Sequence, residues 1–151
     1  VVPGHGLKLG YYAQEHETLD ETRTIRENMA EAAPTLEDTH VRNILGQFLF
    51  QGDDVEKPVS VLSGGEKTRL ALATLVVSGA NVLLLDEPTN NLDPASREEI
   101  LAALRDYEGA VILVTHDPAV AARLPHTIHV RDGRISLEAR GSGTPNQGVA
   151  R

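Results

Sequence analysis

Cysteine is absent from this sequence, so neither disulfides nor thiolate metal sites hold the fold, and a reducing cytoplasm is the compatible compartment. Positive charge is scarce: 14 Lys and Arg stand against 22 Asp and Glu, a formal net charge of −8. Broad affinity for a phosphate backbone needs clustered cations, so any nucleic-acid contact has to be local or supplied by another segment. Long apolar runs are missing too. The run from Leu70 to Val77 is interrupted by Thr74 and falls far short of the ~20 residues of a membrane-spanning helix, and no signal-peptide pattern is present. Any service to a membrane process would go through another chain. What is there suffices for a core, since 151 residues with 40% apolar content fit one globular domain.

Along the chain, Leu7 to Ala13 reads as a strand that delivers Gln14 to a sheet edge. Apolar residues then recur at helical spacing over Thr22 to Ala33 and over Leu36 to Phe50, with Pro34 between the two, which predicts a small helical layer. A polar loop, Gln51 to Pro58, leads to Ser63-Gly64-Gly65-Glu66 and a buried helix. Val82 to Leu85 has the continuous apolar character of a parallel strand covered on both faces and ends in Asp86-Glu87-Pro88. Asp93-Pro94 starts a helix to about Tyr107, and Ala110 to Val114 is a second apolar strand ending in Thr115-His116-Asp117. This is a β-α-β unit with polar residues at the strand ends where open α/β sheets bind ligands. A short helix, Pro118 to Leu124, precedes two strands, Thr127 to Arg131 and Arg134 to Leu137, joined by Asp132-Gly133 as a hairpin turn. The tail is rich in Gly, Ser, Pro and Asn and is expected to be flexible.

Three short segments carry chemistry. Ser63-Gly64-Gly65-Glu66 fits a capping box, Ser63 capping the helix and Glu66 reaching back to the Ser63 amide. The box leaves two consecutive glycines at a helix start unexplained unless something approaches that backbone closely, and bare amides at a positive helix end form an anion site. Asp86, at a strand end, can hold Mg²⁺ through water while the neighbouring Glu87 orients an attacking water; a solvated strand-to-helix turn is the competing reading. His116, at the end of the next strand, can hydrogen-bond a terminal phosphate or simply cap the surface.

Taken together, Leu62-Ser63-Gly64-Gly65-Glu66, Leu83 to Thr89, Asn91-Leu92-Asp93 and Val114-Thr115-His116-Asp117, in this order and spacing, resemble the ATP-binding cassette (ABC) ATPase superfamily over Leu7 to Leu137. The resemblance implies an α/β fold of the P-loop NTPase type: a partial cassette with a parallel sheet core and a small helical subdomain. It implies residues 1–137 as that partial domain, with 15–75 the helical and signature region, 80–137 the β-α-β core, and 138–151 a flexible tail. By the same resemblance Glu87, His116 and Gln14 are catalytic, as the Walker B glutamate, the switch histidine and the Q-loop glutamine. Ser63, Gly64, Gly65, Glu66 and Asp93 bind nucleotide, and Asp86 with Gln14 serves the metal. ATP and Mg²⁺ are the implied cofactors.

Within the superfamily the chain looks most like the second cassette of the ABC-F class, soluble tandem-cassette proteins that act on ribosomes. Glu66 stands where transporters usually carry Gln, Thr89-Asn90-Asn91-Leu92-Asp93 replaces the transporters' Ser-Ala-Leu-Asp, and Gly10-Tyr11-Tyr12-Ala13-Gln14-Glu15-His16 resembles an ABC-F Q-loop. The stretch Ile44 to Phe50 leading to the signature also looks like that second cassette. Pro118-Ala119-Val120 departs from the class, which has Arg and then an aromatic there. The implied function is ATP binding and hydrolysis in translation or antibiotic resistance, with a second cassette as head-to-tail partner and the ribosome contacted through other segments. An ABC transporter subunit and a non-enzymatic interaction fragment are the rival readings. The P-loop pattern G-x-x-x-x-G-K-[ST] occurs nowhere in the sequence, so the chain is expected to be a truncated product or a piece of a larger protein.

Overall fold

The computed structural model describes residues 6–13, 18–131 and 134–139. These form two compact units, one through Val114 and one from Thr115. In the first, β1 (Leu9–Tyr12), β2 (Val82–Asp86) and β3 (Ala110–Val114) make a parallel sheet in the order β1-β2-β3. Leu9, Val82 and Ala110 lie abreast in it, and so do Tyr11, Leu84 and Ile112.

The helical layer comprises α1 (Ile25–Ala32) and α2 (Asp38–Gln47), with α3 (Gly64–Val77) running from the signature turn. A capping box between Thr24 and Glu27 starts α1. The termination of α2 is a Schellman motif: the Phe50 amide donates to the Leu45 carbonyl over 2.9 Å and the Leu49 amide to Gly46 over 3.1 Å. Leu49 takes the left-handed position at φ 66°, where glycine is the usual occupant, and Phe50 and Leu45 are both buried beside it. Leu36 to Phe50 thus contracts to ten helical residues plus this cap. The segment read as a polar loop is ordered into two 3-10 turns, Gly52–Glu56 and Val59–Val61, and places Val55 and Val59 in the core.

That core joins Ile25, Met29, Leu45 and Phe48 of the helical layer to Leu70 and Leu72 of α3, Leu83 and Leu85 of β2, and Ile100 of α4 (Pro94–Arg105). The buried residues of α3 are Thr68 and Leu70 to Ala73; Thr74 to Val77 are half-exposed. The strand β2 is fully covered on one face only, Val82, Leu84 and Asp86 being half-buried on the other, which corrects the expectation of cover on both. Leu83 and Leu85 are fully buried, whereas Leu9, Tyr11, Ile112 and Val114 on the opposite face are exposed. Alternation puts these side chains together on one side of the pleat.

In the second unit, α5 (Pro118–Ala121) is shorter than the predicted Pro118 to Leu124, and β4 (His126–Arg131) pairs antiparallel with β5 (Arg134–Ala139). The hairpin is as expected; its Asp132-Gly133 turn lies outside the described residues. So does the tail from Arg140, although β5 takes Glu138 and Ala139 into the ladder. No helix among the described residues is long and apolar enough to cross a membrane.

Candidate functional site

The signature turn is built as the sequence predicts. Ser63 is the N-cap of α3, its Oγ accepting from the Glu66 amide at 3.3 Å while Glu66 Oε2 accepts from the Ser63 amide at 2.8 Å. The box closes both ways, so the side chains of Ser63 and Glu66 are already committed. The two glycines have different reasons. A Cβ on Gly65 would lie 2.8 Å from the Asn91 carbonyl oxygen, so the helix start and the loop before α4 meet backbone to backbone there. Around Gly64 a Cβ would meet nothing within 4 Å, and this exposed residue's backbone faces open space. Packing explains Gly65; Gly64 has no such contact.

Asp86 is the last residue of β2 and Glu87 the first beyond it, both half-buried. Glu87 has φ 47°, in the left-handed region that side chains other than Gly, Asn and Asp seldom enter. Its amide donates to the Val114 carbonyl over 2.9 Å, continuing the strand ladder by one rung as the chain turns away. Sequence reasoning missed this conformation, because glutamate gives no signal for it. The turn Pro88 to Asn91 follows, with Thr89 and Leu92 buried, and delivers Asp93 as the N-cap of α4. Asp93 Oδ1 accepts from the Ala95 and Ser96 amides at 3.1 Å, and Oδ2 accepts from the Ser96 hydroxyl at 2.6 Å. These bonds, that of the Ser96 side chain foremost, hold the Asp93 carboxyl below the usual carboxylate range.

The strand that leads to Gln14 is tied to the signature helix: buried Tyr12 donates to Thr68 Oγ1 at 3.3 Å, and Thr68 donates to the Gly64 carbonyl at 3.1 Å. Gln14 itself lies outside the described residues. His116 is exposed in the second unit, in the turn before α5. The structure therefore gathers Ser63 to Glu66 and Asn91 to Asp93 at one contact, with Asp86 and Glu87 at the strand end from which that loop springs.

A sequence profile described as ABC transporter matches residues 3–90. The chain belongs to the ABC transporter family. Among its ABC relatives, YdiF of Bacillus subtilis, named as an ATP-binding protein, is 48% identical over 114 residues, covering 76% of this chain and 18% of YdiF. ABC transporter F family member 5 of Arabidopsis thaliana is 38% identical over 131 residues, covering 85% of this chain and 19% of that protein. The chain thus spans about a fifth of the length of these curated relatives. An ATP-binding cassette solved as a dimer in a post-hydrolysis state, bound to ADP and phosphate, superposes with a TM-score of 0.72 at 25% identity, over 90% of this chain and 65% of that one. A bacterial Atm1-family ABC exporter with ATP bound shares the fold at a TM-score of 0.71 and 22% identity, over 87% of this chain and 25% of that one.

Proposed function

We propose that this chain supplies the signature turn and the carboxylate pair of an ABC-F type ATPase that binds and hydrolyses ATP and acts on ribosomes. The observation that carries this reading is the likeness to an F family member at 38% identity over 131 residues. The site's local geometry supports it: Gly64 leaves room for a ligand at a helix N-terminus, where amides and the helix dipole favour a phosphate.

The residues present fit Mg-ATP. Magnesium in nucleotide sites is held by one or two carboxylates and the phosphates themselves, keeping several waters, so a single strand-end Asp86 is enough and no multi-residue cage is needed. When bound, the magnesium would neutralise charge developing on the phosphates. Glu87 would orient the attacking water, and the Gly64 and Gly65 amides would draw a phosphate to the start of α3. On the sequence resemblance alone, Gln14 and His116 are proposed as water- or phosphate-contacting groups. In this reading the phosphates that the signature turn meets are held by a partner cassette, and a solved ATP-binding cassette of the same fold being a dimer supports such pairing. The sequence holds no P-loop pattern, so the lysine and amide cradle comes from residues outside these 151.

In the full-length protein, Glu87→Gln removes the water-orienting group and leaves phosphate contacts intact, so it should abolish turnover, preserve ATP affinity and trap the protein on ribosomes in sucrose gradients with ATP. Asp86→Asn should weaken Mg-ATP binding as well as turnover. Recovery of the trapped variant in the membrane pellet, with no ATP-dependent ribosome association, would favour a transporter subunit instead. The 151-residue chain by itself should show no turnover above background.

A further inference from the structure

We infer that Arg69 is a positioning residue that couples the signature turn to Asp93 through Ser96, so that the two loops shift as one body. The inference rests on the proposed reading that both loops face nucleotide. The coupling is a continuous relay. The Ser63 amide donates to Glu66 Oε2 at 2.8 Å, and Glu66 Oε1 lies 3.9 Å from Arg69 Nη2. Arg69 Nη1 donates to Ser96 Oγ at 3.2 Å, and Ser96 donates on to Asp93 Oδ2 at 2.6 Å. The direction is fixed by inventory: a serine hydroxyl has one proton, which Asp93 takes, so its lone pair is what Arg69 meets. A cation bonded to that oxygen polarises the hydroxyl and strengthens its bond to the carboxylate.

The setting of Arg69 is not one that stability alone would select. Its side chain is only 14% exposed, its guanidinium sits 5.3 Å from the centroid of the Phe50 ring, and its Nε is buried with no hydrogen-bond partner. A buried charge with a donor unused costs free energy that an apolar side chain of similar shape would avoid. What the guanidinium does at this place is bridge, its fork reaching Glu66 on its own helix and Ser96 on another. Beside the relay, the 2.8 Å approach of a Gly65 Cβ position to Asn91 O makes the same junction sterically tight. The polar strap and the backbone contact together leave the signature turn little freedom to move without the loop ahead of α4.

Ser96→Ala tests the coupling, because Ser96 touches neither Ser63 nor Glu66. In the 151-residue chain, hydrogen exchange at the Ser63 and Glu66 amides should quicken by about tenfold in Ser96→Ala, the order expected for one lost bond to a charged group. Arg69→Met should do the same, the double variant should add nothing further, and Arg69→Lys, which keeps charge but loses the fork, should fall between. Tyr107→Phe, which removes a bond to the Ala80 carbonyl away from the relay, should leave those two amides unchanged. Unchanged exchange at Ser63 and Glu66 in Ser96→Ala would overturn the coupling, whatever the protein's activity. In the full-length protein Ser96→Ala should lower kcat about tenfold with KM for ATP altered less than twofold; an equal loss in kcat/KM through KM alone would overturn the positioning role. Absence of any ATPase in the unsubstituted full-length protein would instead defeat the functional reading and leave the exchange result standing.

Discussion

Glu87 donates its amide to the carbonyl of Val114 over 2.9 Å, so the residue that leaves β2 in a left-handed turn is fastened to the last residue of β3. The left-handed backbone costs a side-chain-bearing residue about 1–2 kcal/mol, and here it is held by that bond and by the buried Pro88 and Thr89 that follow.

Stability should therefore rise or stay level when Glu87 is made glycine, by up to about 1 kcal/mol, since glycine meets no steric cost at φ 47° but loses more entropy on folding. Glu87→Val, branched at Cβ, should lose at least about 1 kcal/mol. Urea denaturation of the three proteins decides it; equal stabilities of Gly and Val variants would mean the turn is not strained.

The adjacent glycines of the signature should separate cleanly. Gly65→Ala forces a methyl to 2.8 Å from Asn91 O and should destabilise by about 1–3 kcal/mol. Gly64→Ala meets nothing and should leave the fold as stable or slightly more so, yet weaken nucleotide binding in the full-length protein. Thermal melts and ATP titrations read the two effects apart, and a Gly64→Ala protein with unaltered affinity would remove the ligand-approach argument.

Alkaline pH should loosen the tie between β1 and α3. Burial raises the Tyr12 pKa above its ordinary 10.0 and the bond to Thr68 only partly offsets this; burial likewise raises that of Tyr107. Both phenols are therefore favoured in their neutral form when folded, so their contribution is complete below pH 10 and is lost as pH climbs through the folded pKa values. Denaturation midpoints taken from pH 8 upward should fall past pH 10, and Tyr12→Phe with Tyr107→Phe should flatten that decline.

Leu49→Gly isolates the cap of α2. Glycine relieves the left-handed strain but surrenders a half-buried leucine, so the net change should stay within about 1 kcal/mol, whereas Phe48→Ala, at a residue with no exposure, should cost about 3–5 kcal/mol. A large loss in Leu49→Gly would show that packing outweighs the backbone there.

The parts of the fold that short-range chemistry governs were legible in the residues. Ser63 with Glu66, Asp93 with Pro94, and the apolar runs before Asp86 and Thr115 each specify a cap or a strand locally, and each stands where expected. What escaped depends on partners distant in sequence. Nothing near Gly65 announces Asn91, and Arg69 reads as one more charge on a helix until Ser96, 27 positions on, is brought to it. The one-sided cover of β2 was hidden for a related reason: Val82 to Leu85 looks the same whether its second face is occupied within the chain or beyond it. Gln14 lies outside the described residues, and His116 belongs to the second unit.

That open side of the sheet carries its own optical reporter. The protein has no tryptophan and three tyrosines; the hydroxyls of Tyr12 and Tyr107 are engaged with Thr68 and with Ala80, while Tyr11 stands 51% exposed, abreast of Leu84 and Ile112 in the ladder. Anything that settles on the apolar surface strips water from one phenol in three, so its arrival can be followed by ultraviolet emission without a label, and Tyr11→Phe silences the signal while leaving the surface apolar.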